Sequence, residues 1–178
     1  MRLRTLGKTG IEIPELCLGT WGLSGDGYGP VEEAEQDQVI ERAIGLGVTA
    51  FDTADAYGDG AMESRLGRLL KSHPNALVLT KIGTDRSQTP PVKRFDAEHL
   101  RAAAGKSKER LGRRIDVLLL HNPSSVALNK PHVAVILIVL VAPRSTLSSY
   151  TTLCGFEPYS LVLLNAANGK IIRRLGNP

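Results

Sequence analysis

Three apolar runs in this chain each end on a single ionisable residue, and a helix-like stretch precedes each run. Val48-Thr49-Ala50-Phe51 leads into Asp52, Ala76-Leu77-Val78-Leu79-Thr80 into Lys81, and Ile115-Asp116-Val117-Leu118-Leu119-Leu120 into His121. Strands this apolar are covered on both faces, the condition of a parallel sheet with helices packed over it. A polar residue at the C-terminal end of such a strand points into a mouth shared with its neighbours. Tyr57, in the loop after Asp52, adds a phenol to the carboxylate, ammonium and imidazole that can converge there.

The segments around these runs read as repeated strand-loop-helix units. Residues 2–6 and 11–13 flank Lys8-Thr9-Gly10 and predict a β-hairpin. Leu16–Leu18 is expected as a buried strand ending in Gly19-Thr20-Trp21-Gly22, with a glycine-rich loop to Pro30. Helices are expected over 31–46, acidic at its start, over 61–71, and over 96–111 with Asp96 as N-cap. A long polar loop, 83–94, separates the last two units. Four parallel strands joined by helices fit either half of a (β/α)8 barrel or a small open sheet.

From Pro131 onward the pattern changes. The only charged residues there are Arg144, Glu157, Lys170, Arg173 and Arg174. The run from Val133 to Val141 reads as a buried strand, but the segment between it and His121 contains Asn122-Pro123-Ser124-Ser125 and Pro131, and leaves no room for a crossover helix. Leu161–Leu164 and Lys170–Ile172 flank Asn168-Gly169, a hairpin signal. Residues 1–130 are therefore expected as one β/α portion, and residues 131–178 as an unrelated or frameshifted β-rich tail.

Composition narrows the partners. A net charge of +4 with scattered basic residues and 4% aromatics argues against nucleic-acid binding. The apolar run Val133–Ala142 is half the length a spanning helix needs, so no membrane association is expected. The N-terminus lacks the apolar core of a secretory signal, and a cytoplasmic location is the expectation. Cys17, inside an apolar run, is expected to be a buried, inert thiol, and Cys154 stands alone.

Five motifs in register resemble the aldo-keto reductases over residues 1 to about 130. They are Arg4-Thr5-Leu6-Gly7 with Leu18-Gly19-Thr20-Trp21, Phe51-Asp52-Thr53-Ala54-Asp55-Ala56-Tyr57-Gly58, Glu63-Ser64-Arg65-Leu66-Gly67, Thr80-Lys81, and Leu120-His121-Asn122-Pro123. The resemblance implies the N-terminal half of a (β/α)8 barrel whose bottom a hairpin plugs, and NADPH-dependent reduction of aldehydes and ketones. Tyr57 falls at the family's general acid, Asp52 and Lys81 at the pair that tunes it, and His121 at the imidazole that orients the substrate. Gly19, Thr20 and Trp21 match positions near the nicotinamide and the substrate mouth.

The chemistry explains those residue types. Hydride reaching a carbonyl carbon leaves a developing alkoxide that needs a proton. A free phenol, with a pKa near 10, gives its proton up reluctantly at neutral pH. A neighbouring ammonium stabilises the phenolate, a carboxylate keeps that ammonium charged and aimed, and an imidazole hydrogen-bonds the carbonyl oxygen. The family's remaining cofactor contacts lie in later strands and have no counterpart after Lys130, so this chain is expected to be impaired or inactive. The alternative is a catalytically silent fragment acting as a binding or interaction module, and open barrel edges are expected to favour self-association. A metal site built from Asp52, Asp55, Asp59 and His121 is disfavoured, because two of the carboxylates sit on a loop with no second histidine. No metal is expected.

Overall fold

The computed structural model describes residues 1–6, 11–128, 150–152, 159–164 and 171–176. Strands β1 (Leu3–Thr5) and β2 (Glu12–Pro14) pair antiparallel. The Lys8-Thr9-Gly10 turn between them lies outside the described residues. Four strands, β3 (Leu18–Gly19), β4 (Ala50–Asp52), β5 (Leu77–Ile82) and β8 (Val117–Leu120), form a parallel sheet in that order. Helices α1 (Glu33–Gly45), α2 (Ala61–Leu69) and α3 (Ala97–Leu111) join them in turn. Each new strand is added beside the last, with no reversal of direction. Consecutive β/α units that all turn one way build this order.

Alternation along the strands divides the core. Phe51, Val78, Leu118 and Leu120 face the helices, and Phe51 and Val78 pack with Ile40 of α1, Met62 and Leu66 of α2, and Leu111 of α3. Ala50, Leu79, Val117 and Leu119 face the other way and pack with Leu6, Ile11 and Ile13 of the hairpin segment. Asp52, Lys81 and His121 stand two residues beyond Ala50, Leu79 and Leu119. With a side-chain period of two, they continue that inner row past the end of the apolar packing.

Local chemistry sets the helix ends. Asp96 caps α3 by accepting a hydrogen bond from the His99 amide at 3.0 Å, as expected of its side chain. Gly112 ends the same helix with φ at +59°, a conformation that favours glycine. Gly67 lets α2 approach α3, since a Cβ there would lie 2.3 Å from the Leu111 carbonyl oxygen.

Three expectations need correction. The buried strand over Leu16–Leu18 shrinks to Leu18–Gly19, and Leu16 is 66% exposed. Cys17 is exposed as well, rather than a buried thiol. The reason is position, because β3 lies at the outer edge of the four-stranded sheet, with β4 on one side only. The polar loop 83–94 contains a short antiparallel pair, β6 (Thr84–Asp85) with β7 (Val92–Lys93).

After α4 (Ser125–Leu128), strands β9 (Tyr150–Thr152), β10 (Tyr159–Leu164) and β11 (Ile171–Gly176) form an antiparallel sheet in the order β11-β10-β9. The strand expected over 133–141, the Asn168-Gly169 turn and Cys154 lie outside the described residues. No helix among the described residues is long and apolar enough to cross a membrane.

Candidate active site

Lys81 is the hub of the strand-end cluster. It is 5% exposed near the end of β5, and its ammonium makes three contacts. It forms an ion pair with the Asp52 carboxylate of β4, donates to the Thr53 carbonyl oxygen at 3.0 Å, and lies 3.2 Å from the Tyr57 hydroxyl. Three contacts engage the three donors of the ammonium. The Asp52 carboxyl is pushed up by burial, and the ammonium beside it pulls the other way.

Tyr57 opens a 3₁₀ turn, Tyr57–Gly60, in which Gly58 and Asp59 take positive φ angles of 56° and 54°. That turn carries the phenol back over the end of β5. The backbone helps, because the Asp55 amide donates to the Lys81 carbonyl oxygen at 2.9 Å and the Thr53 amide to the Leu79 carbonyl oxygen at 2.8 Å. His121 follows β8 directly, anchored by its amide to the Ile82 carbonyl oxygen at 2.8 Å. Its ring meets the Tyr57 ring edge-on at 5.7 Å between centroids and 89°. Burial, then the positive charges of Lys93 and Lys81, push its pKa down to about 3. The imidazole is therefore neutral at physiological pH and retains one N–H donor. Its Nδ1 is buried with no hydrogen-bond partner among the described residues.

Of the other three expected residues, Gly19 and Thr20 adjoin Asp52, and Trp21 follows them in the chain. Gly19 sits in register with Asp52, and a Cβ built on it would meet no atom within 4 Å. Thr20 is fully buried, with its amide and hydroxyl both donating to the Asp52 carbonyl oxygen, at 2.9 and 3.0 Å. Trp21 is 45% exposed and packs edge-on to Tyr28 at 5.4 Å. The structure thus brings Asp52, Tyr57, Lys81 and His121 together, with Gly19 beside them.

Lys93, Asp26 and Arg86 escaped the reading of the sequence, and Asp55, weighed there only as a disfavoured metal ligand, carries a further feature. Asp55 has its carboxyl pushed up to about 7, first by burial and then by the nearby Glu63 charge. Its Oδ1 is buried without a hydrogen-bond partner among the described residues. Burial likewise lowers Lys93, whose ammonium donates to Thr84 Oγ1 at 2.8 Å. Asp26 and Arg86 hold the peptides on either side of Tyr57. Asp26 and Asp55 lie in loops, and Lys93 and Arg86 end or follow strands of the short β6–β7 pair rather than of the parallel sheet, so the alternation that marks Asp52, Lys81 and His121 gives them no signal. Among the described residues there is no group of three or more His, Cys, Asp or Glu side chains that could hold a metal ion.

A one-way parallel sheet with a polar cluster at its strand ends is the arrangement of β/α proteins whose active sites lie at that face. The aldo/keto reductase family model matches residues 15–128, and the chain belongs to that family. It is 41% identical over 81 residues to pyridoxal 4-dehydrogenase of Microbacterium luteolum, covering 45% of this chain and 23% of that protein. It is 32% identical over 130 residues to L-glyceraldehyde 3-phosphate reductase of Escherichia coli K12, covering 68% and 36%. The holo form of aldo-keto reductase AKR11C1 from Bacillus halodurans superposes with a TM-score of 0.62 at 25% identity, over 70% of this chain and 41% of that one. The chain thus spans well under half the length of these relatives.

Proposed function

We propose that residues 1–130 are the N-terminal half of a (β/α)8 barrel and carry the proton-donating site of an NADP(H)-dependent reductase of aldehydes and ketones. The single observation behind this reading is the Lys81 ammonium, 3.2 Å from the Tyr57 hydroxyl while held by Asp52. Residues 131–178 form a separate β-rich unit in this reading. Support comes from the family match and from relatives whose names denote carbonyl–alcohol chemistry, a reductase and a dehydrogenase.

The residues present fit the nicotinamide end of the cofactor. Gly19 leaves open space at the strand end, Asp52 beside it in register turns its carboxylate to Lys81, and Trp21 is half exposed at the rim. Gly19, Thr20 and Trp21 would hold it, Thr20 by fixing the strand end rather than through a free hydroxyl. When bound, NADPH supplies hydride to the carbonyl carbon. Tyr57 Oη then gives its proton to the oxygen, and Lys81 stabilises the phenolate left behind. His121, neutral, donates a hydrogen bond to the same oxygen. Asp52 keeps Lys81 charged and aimed at the phenol.

The substrate class is a small carbonyl compound. The 178-residue chain is expected to turn over slowly, since its described residues offer the catalytic groups but little beyond Gly19, Thr20 and Trp21 toward the cofactor. Among the described residues β3 and β8 each have one strand neighbour in the parallel sheet, and self-association through these edges belongs to the same reading.

The test is NADPH oxidation by monodisperse protein against a panel of aldehydes and ketones. Tyr57→Phe is expected to lower kcat by about 10²–10⁴-fold, the range of a lost general acid. Turnover that persists in Tyr57→Phe would refute the assignment.

A further inference from the structure

We infer that Asp26 and Arg86 are positioning residues for Tyr57, forming a strap that grips the peptides on either side of it from two different loops. The inference rests on the reading of Tyr57 as proton donor. Asp26 belongs to the glycine-rich loop after β3, and Arg86 to the loop between β6 and β7. The Asp26 carboxylate accepts the Gly58 amide at 2.8 Å. Arg86 Nη1 donates to the Ala56 carbonyl oxygen at 2.8 Å. The residue between these two anchors is Tyr57.

The two arms are joined to each other. Arg86 Nη2 lies 4.0 Å from Asp26 Oδ1, and Arg86 Nε lies 3.7 Å from Asp59 Oδ1. Asp59 takes φ of 54° without being glycine, a conformation that persists only where the surroundings enforce it. On the Asp26 side, Ser24 Oγ lies 3.0 Å from Asp26 Oδ2 and 2.7 Å from the Trp21 carbonyl oxygen. The strap therefore runs from Trp21 through Ser24, Asp26 and Arg86 to the turn bearing the phenol.

Tyr57 needs such support. Of the four clustered side chains, Asp52 and Lys81 lie within strands of the parallel sheet, and His121 follows one of them directly, bonded to its neighbour. Tyr57 alone stands on a turn whose next two residues have left-handed φ. A proton donor displaced by about 1 Å can lose on the order of 100-fold in rate. Two charged side chains that fix the flanking amide and carbonyl remove that freedom without touching the phenol, leaving it open to a substrate.

Tyrosine ζ-carbon NMR tests the strap directly, with the Tyr57 signal identified by its loss in Tyr57→Phe. Asp26→Ala and Arg86→Ala are each expected to shift or split the Tyr57 signal. Asp26→Asn, which retains an acceptor oxygen for the Gly58 amide, is expected to leave it near the wild-type position. Arg86→Lys keeps a donor for the Ala56 carbonyl and should fall between. Arg68→Ala, which removes an arginine paired with Asp37 on the helical layer, should leave the signal in place. In turnover, Asp26→Ala and Arg86→Ala should each lower kcat by about tenfold while KM for NADPH stays within about twofold. A Tyr57 signal unmoved in folded Asp26→Ala and Arg86→Ala overturns the inference. A signal that moves in protein whose turnover is unchanged by Tyr57→Phe supports the strap and defeats the assignment of Tyr57 as acid.

Discussion

Two groups beside Tyr57 titrate far from their ordinary values, and in opposite directions for stability. His121 falls from 6.5 to about 3. Between those values the unfolded chain takes up a proton that the folded chain refuses, so this contribution to stability is full above pH 6.5 and is lost as pH drops toward 3. A histidine NMR titration should show the His121 imidazole neutral from pH 8 down to pH 4, and titration near 6.5 would contradict the buried geometry. Asp55 rises from 3.8 to about 7. Its folded form holds a proton the unfolded chain has released, so its contribution is full below pH 3.8 and is lost as pH rises through 7. Asp55→Asn, which keeps the shape without the charge, should therefore stabilise the protein at pH 8 and change little at pH 4. At about 1.4 kcal/mol per pH unit, that gain is bounded at about 4 kcal/mol. Thermal melts of both proteins at the two pH values provide the check. Asp55 itself stands in the middle of a motif legible in the sequence, yet its orphaned oxygen depends on how the chain folds over it, which no spacing reveals.

At the scale of elements, the strands and helices were legible where periodicity was strong. The helix expected over 96–111 and its Asp96 cap are present, because the cap requires only a local side-chain bond. The inner-row positions of Asp52, Lys81 and His121 follow from alternation alone. What was not legible depends on neighbours. Cys17 looks buried in sequence because its run is apolar, and is exposed because β3 is an edge strand. Loop 83–94 carries no hydrophobic period, so neither its short strand pair nor the reach of Arg86 could be read from it. The contact between helices also escaped. Glu63, fully buried on α2, accepts from Thr80 Oγ1 at 2.5 Å and from Arg110 Nε of α3 at 2.7 Å, so it ties two helices to the strand that carries Lys81. Removing one member of a buried ion pair leaves the other charge uncompensated. Arg110→Ala is expected to cost about 3–5 kcal/mol of stability in denaturant unfolding, whereas Arg110→Ala paired with Glu63→Gln should recover much of that loss. A near-neutral Arg110→Ala would contradict the role of this ion pair in joining the two helices.

At the scale of the whole molecule, the parallel sheet and the strand-end cluster both lie within the first 128 residues. There the three apolar runs that end on Asp52, Lys81 and His121 form one sheet, wound in one direction, and their terminal residues gather with Tyr57 around Lys81. The family match covers the same stretch. A nicotinamide cofactor seated over Gly19 would lie beside Trp21, the only tryptophan in the chain, so the protein carries its own reporter. Titration of NADPH against Trp21 fluorescence is the most direct test that the strand-end cluster serves a cofactor-dependent reductase. A saturable change in Trp21 emission, weakened when a side chain is placed in the open space by Gly19→Val, is the predicted result. No response up to millimolar NADPH in folded protein would contradict it.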